Sequence, residues 1–176
     1  MTDELIDILN DDLSFQKTTL KSEAHKYGWL HASVHIWFYT DNKEFLFQKR
    51  SPTKIAFPNA WDVSVAGHIG TGESPELSAI REIEEEIGIK IKAEELTEIG
   101  TYHENQKFKT DYIDNEIHYI YTCFLNQPLS NLKIQKEELT DLKLVSIEKF
   151  RQEIESTNHN YANHPLAYYE QILMHF

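Results

Sequence analysis

Apolar and polar positions alternate in a few well-separated patterns along the chain, and most of them predict strands. Ser33–Tyr39 and Phe45–Gln48 are apolar or aromatic runs flanking the turn-prone Asp41-Asn42-Lys43, the pattern of a hairpin. Ile117–Leu125, rich in Ile and Tyr, is the strongest strand pattern. Trp61–Ala66 predicts another strand, and Leu142–Ser146 one that feeds a helix from Ile147 to Glu155. Leu5–Leu9 reads as an edge strand ended by Asn10-Asp11-Asp12, Leu20–Tyr27 as a short helix stopping at Gly28, and Leu166–His175 as a C-terminal helix. Pro52 and Pro58 confine Ser51–Asn59 to loop. Strands broken by a few helices make an α/β sandwich the expected class.

One helix is delimited more sharply than the rest. Ser74 suits its N-cap, Pro75 its first position, Glu76 the positive end of its dipole and Gly88 its C′ position. Gly67, Gly70 and Gly72 precede it in a loop whose backbone can approach a ligand closely. At about 100° per residue, Leu77, Ile80, Ile83 and Ile87 form an apolar stripe, and Glu82, Glu85 and Glu86 gather on the opposite side. Like charges within one turn repel, so this grouping needs a cation or an arginine to offset it. Such a carboxylate group offers an oxygen-only pocket to Mg²⁺ or Mn²⁺. Glu84 and Glu94–Glu95 need no reading beyond solvation.

Composition narrows the function classes. A chain of 176 residues is expected to form one domain over 1–176, with 1–30 as an N-terminal extension packing on it. No run approaches the roughly 18 apolar residues of a membrane span, and the acidic start Thr2-Asp3-Glu4 does not fit a signal peptide. The single cysteine, Cys123, lies in an apolar run and reads as a packed strand residue in a reducing compartment, so a cytoplasmic location is expected. A net charge of −12 argues against nucleic-acid polymers and anionic membranes as partners. A phosphate-bearing substrate must then be drawn in by local positive charge and a metal. Arg50 and Lys54, flanking Pro52, are the cationic pair suited to a diphosphate, arginine by bidentate contact and lysine as a point charge.

Residues 67–89 carry a family resemblance. They fill every defined position of G-x5-E-x7-R-E-U-x-E-E-x-G-U, with U aliphatic: Gly67, Glu73, Arg81, Glu82, Ile83, Glu85, Glu86, Gly88 and Ile89. With about 6% usage at each of the seven glycine or charged positions, such a match arises by chance roughly once in 10⁸–10⁹ starting points. On these residues the chain is identified as a member of the Nudix hydrolase superfamily. The resemblance implies a Nudix-type α/β/α sandwich with a mixed central β-sheet. It implies divalent-metal-dependent cleavage of the pyrophosphate bond of a nucleoside di- or triphosphate or another X-linked diphosphate. Glu82, Glu85 and Glu86, with the Gly67 carbonyl, would hold Mg²⁺ or Mn²⁺, and Arg81 and Glu73 would orient them.

A weaker resemblance covers most of residues 5–155. His25, Leu30-His31, Trp37, Gln48-Lys49-Arg50, Lys54, Pro58, Trp61, Ser64-Val65 and Gly67-His68 resemble the Nudix group related to type I isopentenyl-diphosphate isomerase. That likeness implies a metal site from His25, His31, His68, Asp114 and Glu116, and diphosphate binding by Arg50 and Lys54. The chain departs from the isomerase in three places. Ala66 stands where the isomerase has its catalytic cysteine, the glutamate helix is intact, and the step from His25 to His31 is one residue shorter. An alanine methyl can neither give nor take a proton, so hydrolysis is the expected reaction and isomerisation the alternative. Glu82, Glu116 and a metal-bound hydroxide all stand as the base. His35, Trp37 and Trp61 are assigned to ordinary packing. The substrate is expected to be a small-molecule diphosphate, with the group X and homodimer formation left open.

Overall fold

A nine-stranded mixed sheet is organised around one central strand. The structure, a computed structural model, describes residues 3–156 and 159–176; Met1 and Thr2, at the start of the acidic N-terminal stretch, lie outside them. In chain order the elements are β1 (Leu5–Leu9), β2 (Phe15–Leu20), α1 (Lys21–Tyr27), β3 (His31–Tyr39), β4 (Glu44–Arg50), β5 (Trp61–Asp62) and β6 (Val65–His68). They continue with α2 (Pro75–Ile87), β7 (Leu96–Lys109), β8 (Tyr112–Phe124), β9 (Leu139–Ser146), α3 (Ile147–Ile154) and α4 (Leu166–Leu173).

The second half of strand β3 is apolar on both faces, and helices cover both. Val34, Ile36 and Phe38 pack with Ala79, Ile83 and Ile87 of α2. Trp37 packs on the other side with Phe150 of α3 and Tyr168, Tyr169 and Ile172 of α4. These two cores make the α/β/α sandwich, and each fully buried Ile or Phe contributes about 1.5–3 kcal/mol through loss of apolar surface to water. Strand β3 runs parallel to β8, from His31 opposite Glu116 to Tyr39 opposite Phe124, and antiparallel to β6. Strand β7 pairs antiparallel with β8, and β9 with β4. Between β3 and β4, however, the register contains only Tyr39 opposite Phe45, at the hairpin end. Beyond that point β3 keeps β6 as its neighbour while β4 keeps β5 and β9. The two halves of the sheet diverge, and a cleft opens between them.

Several sequence expectations are corrected. Leu5–Leu9 is not an edge, because Phe15–Leu20 pairs with it on one side and it touches β3 at Ile8–His31 on the other. The expected strand Trp61–Ala66 is two strands. Ser64 breaks the ladder by donating its hydroxyl to the Leu46 carbonyl (2.5 Å) and accepting from the Phe38 amide (2.8 Å). In α2 the caps stand where the sequence puts them: Ser74 Oγ accepts from Leu77 N at 3.2 Å and Gly88 takes φ +72°. Its apolar stripe is different. Ala79, Ile83 and Ile87 are buried, whereas Leu77 is 59% exposed. Glu86 is itself buried, so the carboxylates flank the buried stripe rather than oppose it, which turns them toward the sheet.

Candidate active site

The cleft gathers side chains from both halves of the sheet and from α2. Strand alternation explains the selection: His31, Ser33 and His35 share one face of β3, and the parallel register sets Glu116 and His118 of β8 beside them. Strand β6 brings Gly67 opposite Val34 and His68 opposite Ser33.

From α2 come the three glutamates. A side-chain carbon at position 67 would overlap the Glu82 carboxyl, so only glycine lets that carboxylate lie against β6. Arg81 offsets the charge: its Nη1 donates to Glu82 Oε1 at 2.7 Å and Glu85 Oε2 at 3.1 Å. Its other nitrogens donate to Glu73 (3.1–3.3 Å) and to the His68 carbonyl (3.1 Å), tying helix to loop. Glu86 accepts long hydrogen bonds from Gln48 Nε2 and the Ala66 amide, both at 3.4 Å. Burial, reinforced by Glu82 and Glu138, pushes Glu86 well above the usual carboxylate range. Burial also raises Glu82, against the pull of Arg81. A divalent cation would relieve both.

A second group lies alongside. His25, His31, His68 and Glu116 bring one ligand atom each within 4.8 Å of one another. His31 Nε2 is 3.5 Å and His68 Nε2 3.4 Å from Glu116 Oε1, and His25 Nδ1 is 2.8 Å from Asp114 Oδ1. The shorter step from His25 to His31 does not separate them: their ring centres are 4.9 Å apart. In neutral His31 the Trp29 carbonyl accepts from Nδ1 at 2.8 Å, which leaves Nε2 as a lone pair facing the group. Burial drives His68 down to about 3. Burial alone would raise Glu116, but His31 and His68 hold it well below the usual range. A neutral His68 beside an ionised Glu116 matches the protonation states a metal requires, whereas His31, against burial, is raised by Glu116 and gives up a proton to ligate.

Among the described residues, seven buried side-chain nitrogen or oxygen atoms have no hydrogen-bond partner. Five belong to this group: His25 Nδ1 and Asp114 Oδ1, which face each other as an ion pair, and His25 Nε2, His31 Nε2 and His68 Nε2. Native proteins rarely leave such atoms unsatisfied, and a cation fits the set.

The expected phosphate clamp is only partly free. Arg50 donates from Nη1 to Asp62 (3.0 Å) and from Nε to the Ala56 carbonyl (3.0 Å), and Lys54 pairs with Glu138. Both still line the cleft, as does Lys21. Ala66 lines it too, and among the described residues that border it there is no cysteine. Cys123 is packed in the α2-side core, where burial pushes its thiol up to about 12.

A third group went unread in the sequence: Asp62, Glu104, His118 and His164. His164 sits between two carboxylates, Nε2 3.0 Å from Asp62 Oδ1 and Nδ1 2.9 Å from Glu104 Oε2. Burial alone would lower His164, yet the carboxylates lift it to about 9. Burial would raise Glu104, yet His118 and His164 hold it down at about 2. His35, assigned to packing, stacks on His118 with ring centres 3.9 Å apart, its Nδ1 2.6 Å from the Tyr168 hydroxyl. No local pattern links these residues, which come from β5, β7, β8 and the loop before α4.

A glutamate-bearing helix and a histidine cluster face one cleft in a mixed-sheet sandwich, a donor set that could hold divalent metal ions. The NUDIX domain model matches residues 29–165, and the chain belongs to the Nudix family. Its curated relatives include proteins named as Nudix hydrolases and others named as isopentenyl-diphosphate Delta-isomerases. Nudix hydrolase 3 of Arabidopsis thaliana is 35% identical over 158 residues, covering 86% of this chain but 20% of its own length, so the chain spans a fifth of that relative. An uncharacterized Nudix hydrolase of Clostridium acetobutylicum is 35% identical over 152 residues, covering 85% of this chain and 73% of the relative. An isopentenyl-diphosphate Delta-isomerase of Aliivibrio fischeri matches at 26% over 176 residues. The crystal structure of DR0079 from Deinococcus radiodurans superposes with a TM-score of 0.76 at 21% identity, covering 98% of both chains. No described helix is long and apolar enough to cross a membrane.

Proposed function

We propose that the chain hydrolyses the pyrophosphate bond of a nucleoside di- or triphosphate or another X-linked diphosphate, with Mg²⁺ or Mn²⁺ bound by Glu82, Glu85, Glu86 and the Gly67 carbonyl. The observation that carries this reading is the grouping of Glu82, Glu85 and Glu86 in one cleft with Arg50 and Lys54. When bound there, the ion supplies neutralisation of charge on the phosphoryl oxygens and acidification of a water. Arg50 and Lys54 hold the distal phosphate, exchanging Asp62 and Glu138 for it. Glu116, held ionised among three histidines, binds metal with His25, His31 and His68, or takes the proton of the attacking water. Arg81 and Glu73 keep the helix and glycine loop in register. The expected setting is the cytoplasm, in keeping with a lone buried thiol.

The isomerase relatives and the histidine cluster favour a second reading, isomerisation of isopentenyl diphosphate. Ala66 counts against it, because no proton donor stands at that position and Cys123 is not in the cleft. A chromatographic assay with Mg²⁺ separates the two. The panel comprises nucleoside di- and triphosphates, sugar and dinucleotide pyrophosphates, thiamine diphosphate and isopentenyl diphosphate. Release of phosphate or a monophosphate from at least one member is the expected result. Formation of the dimethylallyl isomer with no phosphate released from any member would overturn the proposal.

A further inference from the structure

The Glu104–His118–His164 group has the features of a metal centre in its own right. The three residues bring one ligand atom each within 4.8 Å of one another. Glu104 Oε2 is 2.9 Å from His164 Nδ1 and 3.4 Å from His118 Nε2. Ligands bound at about 2.0–2.1 Å in a tetrahedron lie about 3.3 Å apart, so a small cation needs little movement here. His118 is 4% exposed, and its Nε2 has no hydrogen-bond partner among the described residues, although it points at the Glu104 carboxylate.

The support behind the three residues is equally complete. His118 Nδ1 lies 2.7 Å from Ser33 Oγ, His164 Nε2 lies 3.0 Å from Asp62 Oδ1, and Gln106 donates to the other oxygen of Glu104. Asp62 is held in turn by Arg50. Each histidine thus has its far nitrogen fixed; the near nitrogen of His118 is aimed at Glu104 with no hydrogen bond, and that of His164 exchanges its hydrogen bond to Glu104 for the ion.

We propose that Glu104, His118 and His164 form a second, separate site for a transition-metal dication of the Zn²⁺ class. Two imidazoles and one carboxylate select such an ion over Mg²⁺, and three protein ligands leave a position open to the cleft for water or a substrate oxygen. Glu116 links this site to the His25–His31–His68 group: Oε1 faces His31 and His68, while Oε2 is 3.4 Å from His118 Nδ1. The proposal does not depend on which diphosphate is cleaved.

The test uses the whole chain, stripped with EDTA and reloaded with Co²⁺ in excess Mg²⁺, which keeps the glutamates of α2 occupied. Bound cobalt is counted by mass spectrometry after gel filtration, and its visible d–d bands report imidazole ligation. Wild type is expected to retain two equivalents. His31→Gln should keep one with its d–d bands intact, and His164→Gln should keep the other. If His164→Gln fails to fold by circular dichroism, the His31→Gln result decides alone. A single wild-type equivalent that disappears in His31→Gln would overturn the proposal, as would a His164→Gln protein that still binds two.

Discussion

Glu86 illustrates how single residues are set against stability for the sake of a site. It is 3% exposed, close to Glu82, and satisfied only by two hydrogen bonds of 3.4 Å. Its raised pKa means that the metal-free fold binds a proton there more readily than the unfolded chain does. Stability is therefore lost as pH rises from the ordinary value of 4.5 through the raised one, and below 4.5 the two states do not differ. Glu86→Gln removes that cost. In EDTA at pH 7 the variant should melt above wild type, by about 2–4 °C for each kcal/mol gained, and the gap should close near pH 4. Thermal scans at the two pH values check this. The carboxylate grouping itself was legible in the sequence, because all three glutamates lie within one turn of a capped helix. Leu77 misled the orientation: it falls on the extrapolated stripe, but the core ends at Ala79, two residues further on.

At the scale of elements, whatever was written locally was legible. Helix α2 carries its own caps and β8 its own run of Ile and Tyr, so both emerge from the sequence. Strand β7 does not, because it pairs only with β8 and most of its side chains are polar and part-exposed, leaving no alternation to detect. With β7 unseen, Glu104 could not be placed opposite Glu116, and the third group of side chains stayed invisible. The packing of β6 against α2 makes a sharper prediction. Gly67→Ala leaves a backbone that alanine tolerates but forces the Glu82 carboxyl away from β6. Circular dichroism should be unchanged, while the Mg²⁺ concentration for half-maximal activity should rise about 10–100-fold, read from a metal titration. An unchanged requirement would dissociate Gly67 from the metal site.

For the molecule as a whole, the divergence of β3 from β4 is the organising event. It opens a cleft into which α2 reaches from one core while β8 and the loop before α4 contribute from the other side. Neither half of the sheet holds a complete site, which is why the sequence could supply the reaction class but not the shape around the substrate. The acidic chain leaves attraction of a phosphate substrate to a few cations and to bound metal, so turnover should depend steeply on the carboxylates that carry it. The most direct measurement is the rate of Mg²⁺-dependent hydrolysis of the best diphosphate substrate by Glu86→Gln. A fall in kcat of about 10²–10³-fold with the fold intact by circular dichroism is expected. Turnover near the wild-type rate would contradict the assignment of the α2 glutamates as the catalytic metal carriers.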